Sequence, residues 1–119
     1  MRDIDLKQRT KEFALRVVRM YCALPKSAVA QVLGKQALRS GTSVGAHYRE
    51  ASRARSQAEF ISKLEVALQE LDETEYWLDL IAEGEIVPRK RLEGLVAEIQ
   101  ELMAILLASV RTAKKNREK

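Results

Sequence analysis

Cysteine, proline, glycine and aromatic residues are all scarce in this chain, and each scarcity removes a class of architecture. One cysteine, Cys22, cannot close an internal disulfide. Two prolines and five glycines in 119 residues supply too few turns for a sandwich or barrel of many short strands. Helices remain. The longest apolar stretch, Met103 to Ala108, falls far short of the roughly 20 residues that cross a bilayer, so no membrane association is expected. The opening MRDIDLKQRT lacks the apolar run of a secretory signal, and a cytoplasmic location is expected. A single histidine, His47, cannot furnish the two Glu-x-x-His pairs of a di-metal bundle. What is present is a 46% hydrophobic chain of single-domain size with 21 Lys+Arg against 17 Asp+Glu, a surplus that permits an anionic partner.

Apolar residues recur at helical spacing throughout. Leu6, Thr10, Phe13, Ala14, Val17, Tyr21 and Leu24 define a first helix over about 4–22, ended by Pro25. Val29, Leu33, Ala37, Val44, Tyr48 and Ala51 continue the spacing, predicting a second helix over 27–53. Gly41 and Gly45 inside it cost about 1 kcal/mol each relative to alanine, and close approach of a neighbouring helix is the expected compensation. Ser56-Gln57-Ala58-Glu59 has the form of a capping box and opens a third helix, 57–83. Phe60, Ile61, Leu64, Leu68, Leu71, Leu78 and Ala82 fall in one stripe of that helix, while Val66, Trp77 and Leu80 gather on nearly the opposite side. Gly84 is the expected stop, and Pro88 suits the first turn of a fourth helix, 88–112. Its buried stripe runs from Leu92 through Ile99 and Leu106 to Val110, and residues 113–119 form a basic tail expected to fray. Four helices with short connections imply one domain, 1–119, an all-α antiparallel up-down-up-down four-helix bundle.

Charge is unevenly placed. Residues 55–83 hold eight acidic and two basic side chains, whereas 25–54 hold five basic and one acidic. The third helix can therefore neutralise the second, or the basic surplus can face a polyanion. Glu75 and Asp79 fall within the apolar stripe, where a carboxylate needs a partner, and antiparallel register points to a pair of Glu75 with Arg39 or Lys35. Trp77 and Leu80, away from the main stripe, are candidates for a subunit interface. Arg89, Lys90 and Arg91 occupy the expected first turn of the fourth helix, where cations oppose the helix dipole and could serve an acidic neighbour or a phosphate. No catalytic constellation emerges: Cys22 and His47 lie far apart along the antiparallel layout, and Gly41 to Gly45 lacks the Walker pattern. No enzymatic activity, cofactor or metal is expected.

The run Leu38-Arg39-Ser40-Gly41-Thr42-Ser43-Val44-Gly45-Ala46-His47-Tyr48-Arg49-Glu50-Ala51 is followed by Phe60-Ile61-Ser62-Lys63-Leu64, Glu70 and Glu73-Thr74-Glu75-Tyr76-Trp77-Leu78. With the closing Leu106-Leu107-Ala108-Ser109-Val110-Arg111-Thr112-Ala113-Lys114, it resembles the four-helix-bundle proteins encoded in intervening sequences of bacterial 23S ribosomal RNA genes. His47 stands where that family usually has asparagine. The resemblance implies a ring-shaped homopentamer without established enzymatic activity and with a proposed role in RNA binding. A more distant similarity is to the accessory protein of diversity-generating retroelements, a basic pentamer that contacts nucleic acid and a reverse transcriptase.

The resulting expectation is a non-enzymatic homo-oligomer that binds structured or ribosomal RNA, or another nucleic acid. Its candidate contacts are Arg49, Arg53, Arg55, Arg111, Lys114, Lys115 and Arg117. With few aromatic platforms, backbone or shape recognition is favoured over base reading. The alternative is a protein-interaction adaptor or accessory subunit, for example of a reverse transcriptase.

Overall fold

The computed structural model describes residues 5–118. It contains four α-helices: α1 (Leu6–Cys22), α2 (Ala28–Ser52), α3 (Gln57–Glu83) and α4 (Glu93–Arg117), the last preceded by a 3-10 turn at Arg89–Leu92. The expected start of α1 at Ile4 lies outside the described residues. Side chains cap three of the helix starts. Asp5 accepts from the Gln8 N–H, Ser27 from that of Ala30, and Ser56 from that of Glu59, each satisfying a donor that has no partner within its helix.

Cross-helix contacts establish antiparallel pairing. Along α2 and α3, Arg39 meets Glu73 and Glu50 meets Lys63. Along α3 and α4, Glu65 meets Lys114 and Glu75 meets Gln100. The result is an elongated bundle of about 52 × 26 × 21 Å.

The core is asymmetric in side-chain size. Phe13 and Val17 of α1, Leu64, Leu71 and Leu78 of α3, and Ile99, Leu102 and Leu106 of α4 are buried, each worth about 1.5–3 kcal/mol when fully withdrawn from water. From α2 come mostly small residues: Ala30, Gly34, Ala37, Gly41 and Gly45. The α1 side chains fill the space they leave. A Cβ added at Gly41 would meet Val17 Cγ2 at 2.9 Å, and one at Gly45 would meet Thr10 Oγ1 at 3.1 Å. The close approach expected at these two glycines is present. The expected stripe holds at Ala37, Val44 and Ala51 and departs at its N-terminal end, where Val29 is 61% exposed while Ala30 is buried, because α1 packs there on the small residues Ala30 and Gly34.

α3 ends at the expected boundary with Gly84 as its C-cap, but both ends of α4 differ: it starts at Glu93, after the 3-10 turn that holds Arg89, Lys90 and Arg91, rather than at Pro88. The residue following the α3 C-cap, Glu85, has φ 58°, whereas Gly84 at the C-cap is right-handed at −75°. Glu85 donates to the Ala82 carbonyl and Ile86 to that of Ile81, which is the hydrogen-bond pattern of a Schellman motif. At the other end of the chain, α4 extends through the supposed tail to Arg117. Ala113 prolongs the buried stripe one turn beyond Val110, and the Lys114 ammonium meets Glu65 at 3.1 Å, so both hydrophobic and ionic contacts hold these turns.

Candidate nucleic-acid interface

Up-down topology brings the C-terminal end of α2, the α2–α3 turn and the C-terminal turns of α4 to one end of the bundle. All seven candidate cations are there: Arg49, Arg53 and Arg55 on the first two segments, and Arg111, Lys114, Lys115 and Arg117 on the third. All are exposed. Among the described residues only Lys114 forms an ion pair, with Glu65; the other six have no carboxylate within salt-bridge distance. Cations in the last turn of α2 and of α4 also complement the negative ends of those helices, which gives the cluster a local stabilising role of a few tenths of a kcal/mol per residue.

Ion pairing on the flank of this end is denser. Glu50 accepts from Lys63 at 3.2 Å and lies 3.3 Å from His47 Nδ1; Lys63 first, then His47, holds its carboxyl below the usual value. His47 Nε2 also faces Glu70 at 3.8 Å. These residues tie α2 to α3.

The pair expected between Glu75 and Arg39 or Lys35 does not form. Arg39 bonds Glu73 at 2.8 Å and approaches Glu70 at 3.7 Å, while both Glu75 oxygens accept from Gln100 at 2.8 Å. Lys35 is exposed and makes no ion pair among the described residues. Glu75 points toward α4 rather than α2, so a glutamine on that helix reaches it first. Asp79 lies on the same side and pairs with Arg89 at 3.1 Å. Between α2 and α3 the buried polar link is instead Ser40 Oγ to Thr74 Oγ1 at 2.7 Å.

Trp77 and Leu80 are half-buried, and the Trp77 ring packs against the core with its Nε1 enclosed and unpartnered. Tyr76 stacks edge-on against it at 5.1 Å and is the more exposed aromatic, at 56%. The sequence reading missed Val32, 61% exposed on α2. Two turns from the Arg39–Glu73 contact, the same antiparallel register sets Val32 beside Leu80. An exposed apolar patch thus spans α2 and α3 toward the end opposite the cations.

The family model of the 23S rRNA-intervening sequence protein matches residues 2–108. The chain belongs to this family. It is also similar to the crystal structure of a protein of unknown function from the S23 ribosomal protein family of Bacteroides thetaiotaomicron. Identity is 42%, with a TM-score of 0.82, covering 87% of this chain and 96% of that one. No curated protein matches significantly. In this family member, Arg111, Lys114, Lys115 and Arg117 lie beyond the matched residues, whereas Arg49, Arg53 and Arg55 lie within them. Among the described residues no group of three His, Cys, Asp or Glu side chains could hold a metal ion, and no helix is long and apolar enough to cross a membrane.

Proposed function

We propose that this protein is a non-enzymatic homo-oligomer that binds structured RNA through the basic end of its bundle. The observation that supports this most directly is the gathering of Arg49, Arg53, Arg55, Arg111, Lys115 and Arg117 at one end with no carboxylate partner among the described residues. Unpaired guanidinium and ammonium groups exchange condensed counterions for phosphate contacts, so affinity falls steeply with salt. Their placement on two helix ends and a turn favours a backbone track over insertion into a groove. The patch around Val32, Tyr76 and Leu80 supports self-association, the pentamer being the assembly implied by resemblance. Several copies would multiply weak contacts to a single RNA.

Electrophoretic mobility shifts on duplex and single-stranded RNA across a salt series test the proposal. Binding at low salt, weakened by R53Q/R55Q with a salt slope reduced by roughly 1–2, supports it. Absence of binding at low salt by the assembled protein, or binding unchanged in R53Q/R55Q, refutes this interface.

A further inference from the structure

We propose that a cleft between α1 and the start of α4 binds a small phosphorylated molecule with an apolar or aromatic body. The cleft is about 360 Å³, within the range of small-ligand sites. Arg16 and Arg19, one turn apart on α1, line it together with Arg91 of the 3-10 turn. None of the three forms an ion pair among the described residues. Glu98 of α4 is engaged by Arg9 through two hydrogen bonds of 2.9 Å, so Arg16 contributes only a longer-range attraction to it.

The start of α4 adds positive potential of its own. Leu92 occupies the N-cap, no side chain caps the helix there, and Glu93 is the acidic residue of its first turn. Cations at a helix N-terminus are unfavourable, and three guanidiniums lining one cleft repel one another as well. An oxyanion in the cleft reverses both effects. Gly94 allows the approach: a Cβ there would lie 3.0 Å from Arg16 Nη2, so the absent side chain lets that guanidinium rest over the helix start. The planar fork of arginine matches phosphate oxygens two at a time, and three such groups suit a dianion better than a carboxylate. Met20, Val87 and Leu95 form an apolar floor beside them, which calls for a carbon body attached to the phosphate. The unusual Arg89-Lys90-Arg91 run thereby divides: Arg89 serves Asp79 within the fold, while Arg91 is left for a ligand.

Calorimetric titration of the full chain with phenyl phosphate, inorganic phosphate and benzoate tests this. Phenyl phosphate is expected to bind most tightly, with benzoate at least about tenfold weaker, and R91Q is expected to lower phenyl phosphate affinity by about tenfold. Arg91 is exposed, and an unchanged melting temperature of the unliganded variant verifies that it folds. Absence of binding at millimolar phenyl phosphate overturns the proposal, as does equal affinity for benzoate or for the R91Q chain. Loss of self-association in R91Q, seen by sedimentation without ligand, also overturns it by assigning the cleft to a carboxylate of a second copy. RNA retention depends on the opposite end of the bundle and is unaffected by R91Q, so either reading can fail alone.

Discussion

Replacing Gly41 by alanine adds one methyl group at a close approach of α1 and α2. The new Cβ would stand 2.9 and 3.0 Å from the two γ carbons of Val17. Intrinsic helix propensity favours alanine by about 1 kcal/mol. Against this, Val17 is fully buried and its branched side chain has one strongly preferred rotamer in a helix, so it cannot turn aside. Relief requires moving α1 outward or forcing the rotamer, at about 2–3 kcal/mol because the opposing valine is fully buried and rotamer-locked, and displacement of α1 would also loosen the Thr10 contact over Gly45. We expect a net loss of about 1–2 kcal/mol, or roughly 4–8 °C in Tm. Urea denaturation followed by far-ultraviolet circular dichroism, at fixed protein concentration, measures it. Val17→Ala in the same chain removes the opposing methyls, and the double variant should be more stable than the two single effects predict by about 1 kcal/mol. Gly94→Ala is the control. Its methyl meets only the movable end of Arg16, so stability should hold or rise by about 0.5 kcal/mol. A Gly41→Ala chain as stable as its parent would refute the steric argument.

Four other substitutions probe separate features. Arg9 holds the Glu98 carboxyl below its usual 4.5, so the pair's contribution is complete above about pH 4.5 and disappears as pH falls through the depressed folded-state value. Glu98→Gln should cost about 1 kcal/mol at neutral pH and flatten the acid limb of a stability-against-pH curve. Glu85→Gly should stabilise by about 1 kcal/mol in thermal melts, because glycine adopts the left-handed conformation without a Cβ penalty. Ser40→Ala should lose about 1 kcal/mol in chemical denaturation by removing the interhelical partner of Thr74. Val32→Glu, at an exposed position, should leave the fold intact yet lower the sedimenting mass, and an unchanged mass would exclude the patch as a subunit contact.

Spacing along the chain was informative wherever a helix buries large side chains. Phe13, Leu64, Leu71 and Ile99 mark their stripes because nothing else at those positions could face the interior. On α2 the signal holds at Ala37, Val44 and Ala51 and fails toward the N-terminal end, where shape complementarity with α1 selects Ala30 and Gly34 and leaves Val29 and Val32 outside. Helix register was legible from loop length, but partner choice was not. Arg39, Glu70 and Glu73 stand within reach of one another, and a shift of half a turn decides which carboxylate is used. Ala113 shows why the end of α4 was misjudged: one buried alanine among polar residues carries little periodic signal, and the ion pair beside it, Lys114 with Glu65, joins residues far apart in the chain. The basic end was visible as composition, yet only topology joins residues 49–55 to 111–117. For the α1–α4 cleft, Arg91 stood out by opposing the helix dipole, while Arg16 and Arg19 looked like ordinary surface cations.

The α2–α3 pairing is the most extensive in the bundle, and a connection of only a few residues separates its two helices. Closing so short a loop loses little chain entropy, so this hairpin can assemble early and survive late. Native-state hydrogen exchange should therefore find the slowest amides around Ala37, Val44, Leu64 and Leu71. The outer helices should open first and independently, giving the molecule a durable spine flanked by two more labile arms.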